Sequence, residues 1–159
     1  MCCITATYRP SGLHSTYAYA VEVDVDRETG SVRIRDCVLV ADVGTVINPT
    51  AAHGQLVGAF AQGLGQALTE ELRSEDGVLV NAGLADYKMP TQADVPALRV
   101  VLLSDDQGDG PFGAKSVGEL ANPGIAPAIA NAVHDAVGVR IASLPITAEK
   151  VYRALQTAR

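Results

Sequence analysis

From Thr50 to Thr69 the chain runs "TAAHGQLVGAFAQGLGQALT", without a single Asp, Glu, Lys or Arg. At about 100° per residue, Leu56, Phe60, Leu64, Ala67 and Leu68 fall on one apolar face of a helix placed over 50–72. The other side gathers Gly54, Gln55, Gly58, Gln62, Gly65, Gln66 and Thr69. A solvated helix face ordinarily carries Lys and Glu, and it avoids glycine, which costs about 1 kcal/mol against alanine in a helix interior. This helix therefore needs a core on one side and something polar, neutral and close on the other. Glycine permits the approach, and primary amides offer both donors and acceptors. Two readings fit that face: a bound group, or tight helix–helix packing with the glutamines satisfied by neighbouring backbone.

The rest of the composition narrows the class. A chain of 159 residues is enough for one domain with a real core, or for a piece of a larger one. Hydrophobic residues at 48% rule out a disordered chain, and the absence of Trp leaves the core to Ala, Val, Leu and Ile. The net charge of −6 argues against nucleic acid or an anionic membrane as partner, since both call for a basic footprint. No apolar run approaches the ~18 residues of a spanning helix, and no signal-peptide layout opens the chain. Cys2, Cys3 and Cys37 make an odd set with an adjacent pair, which is not a disulfide framework and reads as cytoplasmic. His14, His53 and His134 are scattered and no CxxC occurs, so no metal-ligating set of side chains is expected.

Alternation in "TYAYAVEVDVD" (16–26) puts Tyr17, Tyr19, Val21, Val23 and Val25 on one face of a strand. "RETG" (27–30) is a turn and 31–42 a second strand, giving a β-hairpin. Residues 73–77 read as a charged turn, 78–80 as a short strand, 87–96 as a proline-bounded loop and 97–104 as a further strand. A helix is predicted to run to about Val137 with Ile125, Ile129 and Val133 buried. Its start is either Asn122-Pro123, as cap and first position, or a point nearer Ala126. A last helix follows Thr147, its predicted cap, with Val151 and Leu155 facing inward. The fold class is thus α+β: one domain or domain fragment over 1–159, its hairpin and further strands in a mixed sheet packed against three helices.

Two familiar motifs fail in the glycine-rich loop 105–119. "GPFGAKS" lacks the glycine that a phosphate-binding P-loop places immediately before Lys-Ser, because Ala114 stands there. "DDQGDG" lacks a carboxylate at the third position of a calcium loop, and Ser116 stands where the closing glutamate belongs. What remains is a loop rich in backbone N–H groups, leading into a helix, with the lone carboxylate of Glu119 beside it. Such donors suit an acceptor-rich ligand. A carboxylate in a water-poor site gains the basicity that proton abstraction requires. The alternative is that Glu119 caps the following helix.

Three stretches together, "ADVGTVINPTAAHGQLVGAFAQGLGQALTEEL" (41–72), "ADYKMPTQADVP" (85–96) and "GAKSVGELANPGIAPAIANAVHDA" (113–136), resemble the C-terminal part of the molybdenum hydroxylases. These are the molybdopterin-binding large subunits of the xanthine dehydrogenase, aldehyde oxidase and carbon monoxide dehydrogenase type. The hairpin and the closing "LPITAEKVYRAL" resemble them too, in matching order. The resemblance implies that Glu119 is the catalytic general base beside the molybdenum. It implies that Gln55 contacts the cofactor and that the backbone of Lys115, Ser116, Val117 and Gly118 lies against the pterin. The implied cofactor is molybdenum–molybdopterin, with the cytosine dinucleotide form among the options, and the metal is held by the pterin dithiolene rather than by side chains. The implied reaction hydroxylates an aldehyde, an N-heterocycle or a related small substrate with oxygen from water.

Subunits of that family are several times longer, and "MCCITATYRP" begins where they are mid-subunit. The expected partners are accordingly the remaining part of the molybdenum subunit, iron–sulfur and flavin subunits and the small-molecule substrate, with no nucleic acid and no membrane. The chain is expected to be a split subunit, a domain fragment or a truncated product. Leu120 replaces the proline that often follows the glutamate. The rival reading is a non-catalytic remnant or subunit-interface module that keeps the fold; a weaker one is a stand-alone binder of phosphate ligands.

Overall fold

A computed structural model describes residues 15–105, 108, 110–158. Cys2, Cys3, His14 and part of "DDQGDG" lie outside the described residues. Strands β1 (Thr16–Val25) and β2 (Val32–Asp42) form the expected antiparallel hairpin. In β2 the apolar positions change phase, from Val32 and Ile34 to Cys37, Leu39 and Ala41. The pairing register shifts between Glu22 and Val23, so the bulge keeps both sets on the core side. The intervening Arg33, Arg35 and Asp36 stay exposed.

Helix α1 (Pro49–Leu68) follows, with the side chain of Asn48 accepting from Ala51 N at 3.0 Å as its N-cap. It ends four residues short of the expected 72, because Gly65 O accepts from both Thr69 N and Glu70 N and the chain turns away. Strands β3 (Ser74–Glu75) and β4 (Val78–Leu79) make a two-stranded ribbon. Ser74 and Glu75, expected in a turn, are therefore paired, and the turn itself is Asp76-Gly77. Strand β5 (Arg99–Leu103) joins β2 in parallel, Val38 opposite Arg99 and Asp42 opposite Leu103, which makes the three-stranded sheet mixed.

Helices α2 (Asn122–Val137) and α3 (Ala148–Thr157) complete the α+β domain. Asn122 does not cap α2; it is the first helical residue, and Ala121 holds the cap position without a side-chain bond. Pro127 lies inside the helix, one turn past its start, and forgoes the bond its N–H would have made to the Pro123 carbonyl. Thr147 does cap α3, accepting from Lys150 N at 3.3 Å. Phe60, Leu64, Ala67, Ile125, Ile129 and Val133 meet Cys37 in one buried cluster. Leu39, Ala41, Val43, Leu56, Ala59 and Ala121 form a second, nearer the start of α1. Each fully buried large side chain contributes about 1.5–3 kcal/mol, so this interior fixes α1 and α2 against the sheet. No helix among the described residues is long and apolar enough to cross a membrane.

Candidate functional site

With its apolar stripe in the core, α1 turns Gly54, Gln55, Gly58, Gln62 and Gln66 outward, all exposed. The glycines of this helix serve two different purposes. A Cβ at Gly54 or Gly58 would meet nothing within 4 Å, so the fold does not require glycine there. A Cβ at Gly63 would collide with Asn122 O and the Ile125 side chain, so this residue sets the close approach of α1 to α2. One at Gly65 would strike the Glu70 carboxylate and Pro90. Gly65, expected on the open face, is thus buried, and the packing glycine Gly63 was not singled out by periodicity.

The loop that leads to Glu119 lies beside this face and is stitched to the end of β2. Thr45 N donates to Gly113 O at 2.9 Å and Lys115 N to Val43 O at 2.8 Å, flanking a Gly44–Ala114 bridge. On the other side, Ser15 Oγ donates to Ser116 O at 2.5 Å and Tyr19 Oη to Ala121 O at 3.0 Å. Leu120 packs into the second core cluster, which seats the loop where a proline would otherwise stiffen it. Among the described residues, the N–H groups of Ser116, Val117 and Gly118 have no protein acceptor. They form a run of free donors.

Glu119 is exposed, and its carboxylate has no hydrogen-bond or ion-pair partner among the described residues. It does not cap α2 with its side chain; only its carbonyl is used, accepting from Asn122 N at 3.1 Å. It lines a cavity of about 490 Å³ together with Gln62, Gln66, Glu70, Tyr87 and Met89. Asn122 Nδ2, at the same cavity, donates to Gln62 Oε1 at 3.3 Å. Tyr87 Oη donates to Glu70 Oε2 at 2.5 Å, and Thr69 Oγ1 to Lys88 O at 2.7 Å, so the 87–90 wall is clamped to the end of α1. The accepting Glu70 carboxylate raises the Tyr87 phenol above its ordinary pKa.

Gln55 lies in a second recess of about 210 Å³, with Val117, Lys115 and Asn48. Gln55 and Glu119 do not share a cavity, although both border the outer side of α1. From Gln55 to Gln66 the helix advances about 16 Å. Ser116 and Gly118 are exposed. The Lys115 ammonium neither reaches into the open face nor pairs with Glu119. It binds Asp42 Oδ2 at 2.6 Å and lies 3.5 Å from Asp105 Oδ1, with its side chain 8% exposed. Of Lys115, then, only the backbone is available to a ligand.

That pair perturbs both partners. Lys115 is raised by its hydrogen bond to Asp42 against the cost of desolvation. Asp42 is lowered by the same bond and by Gly44 N–H. Because the folded-state pKa of Asp42 is depressed, its contribution to stability is complete above about pH 4. It is lost as pH falls through the lowered value. Thermal unfolding between pH 7 and pH 3 should therefore show Asp42→Asn less stable at neutrality, with the gap to the wild-type chain closing in acid.

Gln62 and Gln66 were placed on the glycine-and-glutamine face but not given a site role, and Glu70, Tyr87 and Met89 were not expected at the site. The two glutamines had a signal, since they repeat Gln55 on one helical stripe. The Glu70–Tyr87 pair had none, because it depends on where the 82–90 segment returns.

A mixed sheet under helices α1 and α2 thus carries an uncharged, amide-lined face with a carboxylate beside it that has no partner among the described residues. Residues 4–96 match the family described as molybdopterin cofactor-binding domain. The aldehyde oxidoreductase molybdenum-binding subunit PaoC of Escherichia coli (strain K12) is 44% identical over 141 residues, 86% of this chain and 19% of that protein. The gamma subunit of the 6-hydroxypseudooxynicotine dehydrogenase complex of Paenarthrobacter nicotinovorans is 35% identical over 95% of this chain and 20% of that protein. Among solved structures, the aldehyde oxidoreductase of Desulfovibrio gigas superposes with a TM-score of 0.81 at 38% identity, over 89% of this chain and 15% of that one. A Cu,Mo-CO dehydrogenase superposes equally well, at 0.81 with 27% identity, over 90% of this chain and 18% of that one. The chain belongs to the molybdopterin cofactor-binding domains of the molybdenum hydroxylase family. It spans about a fifth of the length of the curated relatives it matches.

Proposed function

We propose that this chain supplies the cofactor-facing wall and the general base of a molybdenum-dependent hydroxylase acting on an aldehyde, an N-heterocycle or a related small substrate. The observation that carries the reading is Glu119. Its carboxylate is unpartnered among the described residues, does not cap α2, and opens into the cavity bordered by Gln62 and Gln66. A molybdopterin, in the plain or cytosine dinucleotide form, suits the residues present. The face offers neutral amides, glycines whose absent side chains serve no packing purpose, and free backbone donors at 116–118. Gln55 and the backbone of Lys115, Ser116, Val117 and Gly118 would hold it.

Replacing a substrate C–H by C–OH with oxygen from water releases two protons and two electrons. The molybdenum cofactor, when bound, supplies the two-electron acceptor. Glu119 takes up a proton at its carboxylate as the water-derived oxygen is transferred to carbon. The Glu70–Tyr87 clamp and Pro90 hold the opposite wall in place. Iron–sulfur and flavin subunits would accept the two electrons, the remaining part of the molybdenum subunit would cover the open face, and the assembly would be cytoplasmic. The test is hydroxylation of an aldehyde and an N-heterocycle by the assembled enzyme, with Glu119→Gln as the diagnostic variant and loss of turnover as the expected result.

The chain alone is expected to retain little molybdopterin and to show no hydroxylation. Leu72, Val78, Leu79, Leu84 and Met89 are exposed in one segment, and such a patch favours self-association. Size-exclusion chromatography with molybdenum analysis checks this; a monomer with one molybdenum per chain would contradict it.

A further inference from the structure

The hydroxylation reading leaves one nearly buried cation unused, the ammonium of Lys115. Asp42, its partner at 2.6 Å, is the last residue of β2, and the Asp42 side chain is only 20% exposed. The second oxygen of Asp42 accepts from Gly44 N at 3.0 Å, so one carboxylate ties together the end of β2, the turn at Gly44 and the loop at Lys115. Gly44 sits at φ +64°, and a Cβ there would collide with Gly113 O. The turn and the loop are therefore in direct backbone contact. Beyond Lys115 no backbone N–H of the loop is bonded to the protein, among the described residues, until Asn122 N returns to Glu119 O. The path from the sheet to the Glu119 carboxylate is thus held at its origin by the Lys115 N–Val43 O bond together with this ion pair, and further along only through the carbonyls of Ser116 and Ala121.

We propose that Lys115 is a positioning residue: through Asp42 it sets where the 115–119 segment leaves the sheet, and so where Glu119 stands, without its side chain touching cofactor or substrate. The proposal rests on the reading of Glu119 as the base. Removing Lys115 strips the Asp42 carboxylate of its cation, and Asp42→Asn leaves the ammonium only the longer 3.5 Å contact to Asp105, so either single substitution should loosen the loop. Displacements on the order of 1 Å at a reacting group cost roughly 10²-fold in rate.

The experiment compares Lys115→Met, Asp42→Asn, the double variant and Lys115→Arg in the assembled enzyme. It measures molybdenum content, kcat per bound molybdenum and KM, together with amide hydrogen exchange of the intact chain. Asp42→Asn keeps an acceptor for Gly44 N and serves if Lys115→Met fails to assemble. The expected result is a fall in kcat per molybdenum of at least about 10-fold in each single variant, with KM unchanged. The double variant should be no worse than either single one, Lys115→Arg should recover most of the loss, and exchange should quicken at the bonded amides of Thr45 and 113–115 but not in β1 or β2. Wild-type kcat per molybdenum in the Met and Asn variants would overturn the proposal, leaving a purely structural pair. Activity lost only in proportion to molybdenum would also overturn it, because the side chain would then be holding the cofactor. The base reading fails separately, if Glu119→Gln turns over normally. An inactive Glu119→Gln beside a fully active Lys115→Met would remove the positioning role alone.

Discussion

Replacing Glu119 by Gln in the assembled, molybdenum-loaded enzyme is expected to lower turnover by at least about 10²-fold. The change is nearly isosteric and removes only the capacity to accept a proton. Nothing in the fold depends on the charge: the carboxylate has no bonded partner among the described residues, and the loop is held by its neighbours at Val43, Ser15 and Tyr19. Stability and molybdenum content should therefore match the wild type, which separates this role from a helix cap, whose loss would cost about 0.5–2 kcal/mol and leave turnover intact. A fully loaded variant with wild-type turnover would reduce the carboxylate to surface.

The second large effect comes from α1, where two glycines five residues apart should respond in opposite ways to the same substitution. Gly58→Leu adds a Cβ that meets nothing within 4 Å, on an exposed face, and it replaces a poor helix former with a good one. The domain should remain folded and gain up to about 1 kcal/mol. Under the proposed reading, in which this face meets the cofactor in the assembled enzyme, the leucine stands in its way, and molybdenum content should fall to a small fraction of wild type. Gly63→Leu drives a side chain into Asn122 O and Ile125 and should cost more than the ~1–3 kcal/mol of ordinary overpacking, unfolding the chain near room temperature. Thermal unfolding and metal analysis of the two variants check both statements. Normal molybdenum in Gly58→Leu would show that the outward face of α1 touches nothing.

Local pattern made the hairpin and the helices readable. Alternation from Tyr17 to Val25 marked β1, and the phase change from Ile34 to Cys37 is the written trace of the bulge in β2, where Arg35 is the extra residue. The stripes Leu56–Phe60–Leu64 and Ile125–Ile129–Val133 mark the core in the sequence itself. The parallel pairing of β5 with β2 was not readable, because its register joins residues about sixty positions apart through a crossover. Nor was the α2 start, where Asn122 has the chemistry of a cap yet lies inside the first turn.

At the site, the uncharged face of α1 and the isolation of Glu119 stood in the sequence, since both are one-dimensional facts about charge. The partner of Lys115 did not, because Asp42 lies 73 residues away and meets it only through the sheet. The same holds for Tyr87 and Glu70, which a loop brings together. Glycine was the least readable residue of all. Gly58 and Gly63 look alike in a helical projection, and only the neighbouring backbone tells an open face from a tight helix crossing.

The most direct measurement is the structure of the assembled enzyme with its molybdenum cofactor in place. The account predicts Gln55 and the backbone of 115–118 in contact with the cofactor, the Glu119 carboxylate beside the molybdenum, and the Lys115 ammonium still turned away onto Asp42. A cofactor bound elsewhere, with the Gln55–Gln62–Gln66 face in solvent and Glu119 remote from the metal, would contradict it.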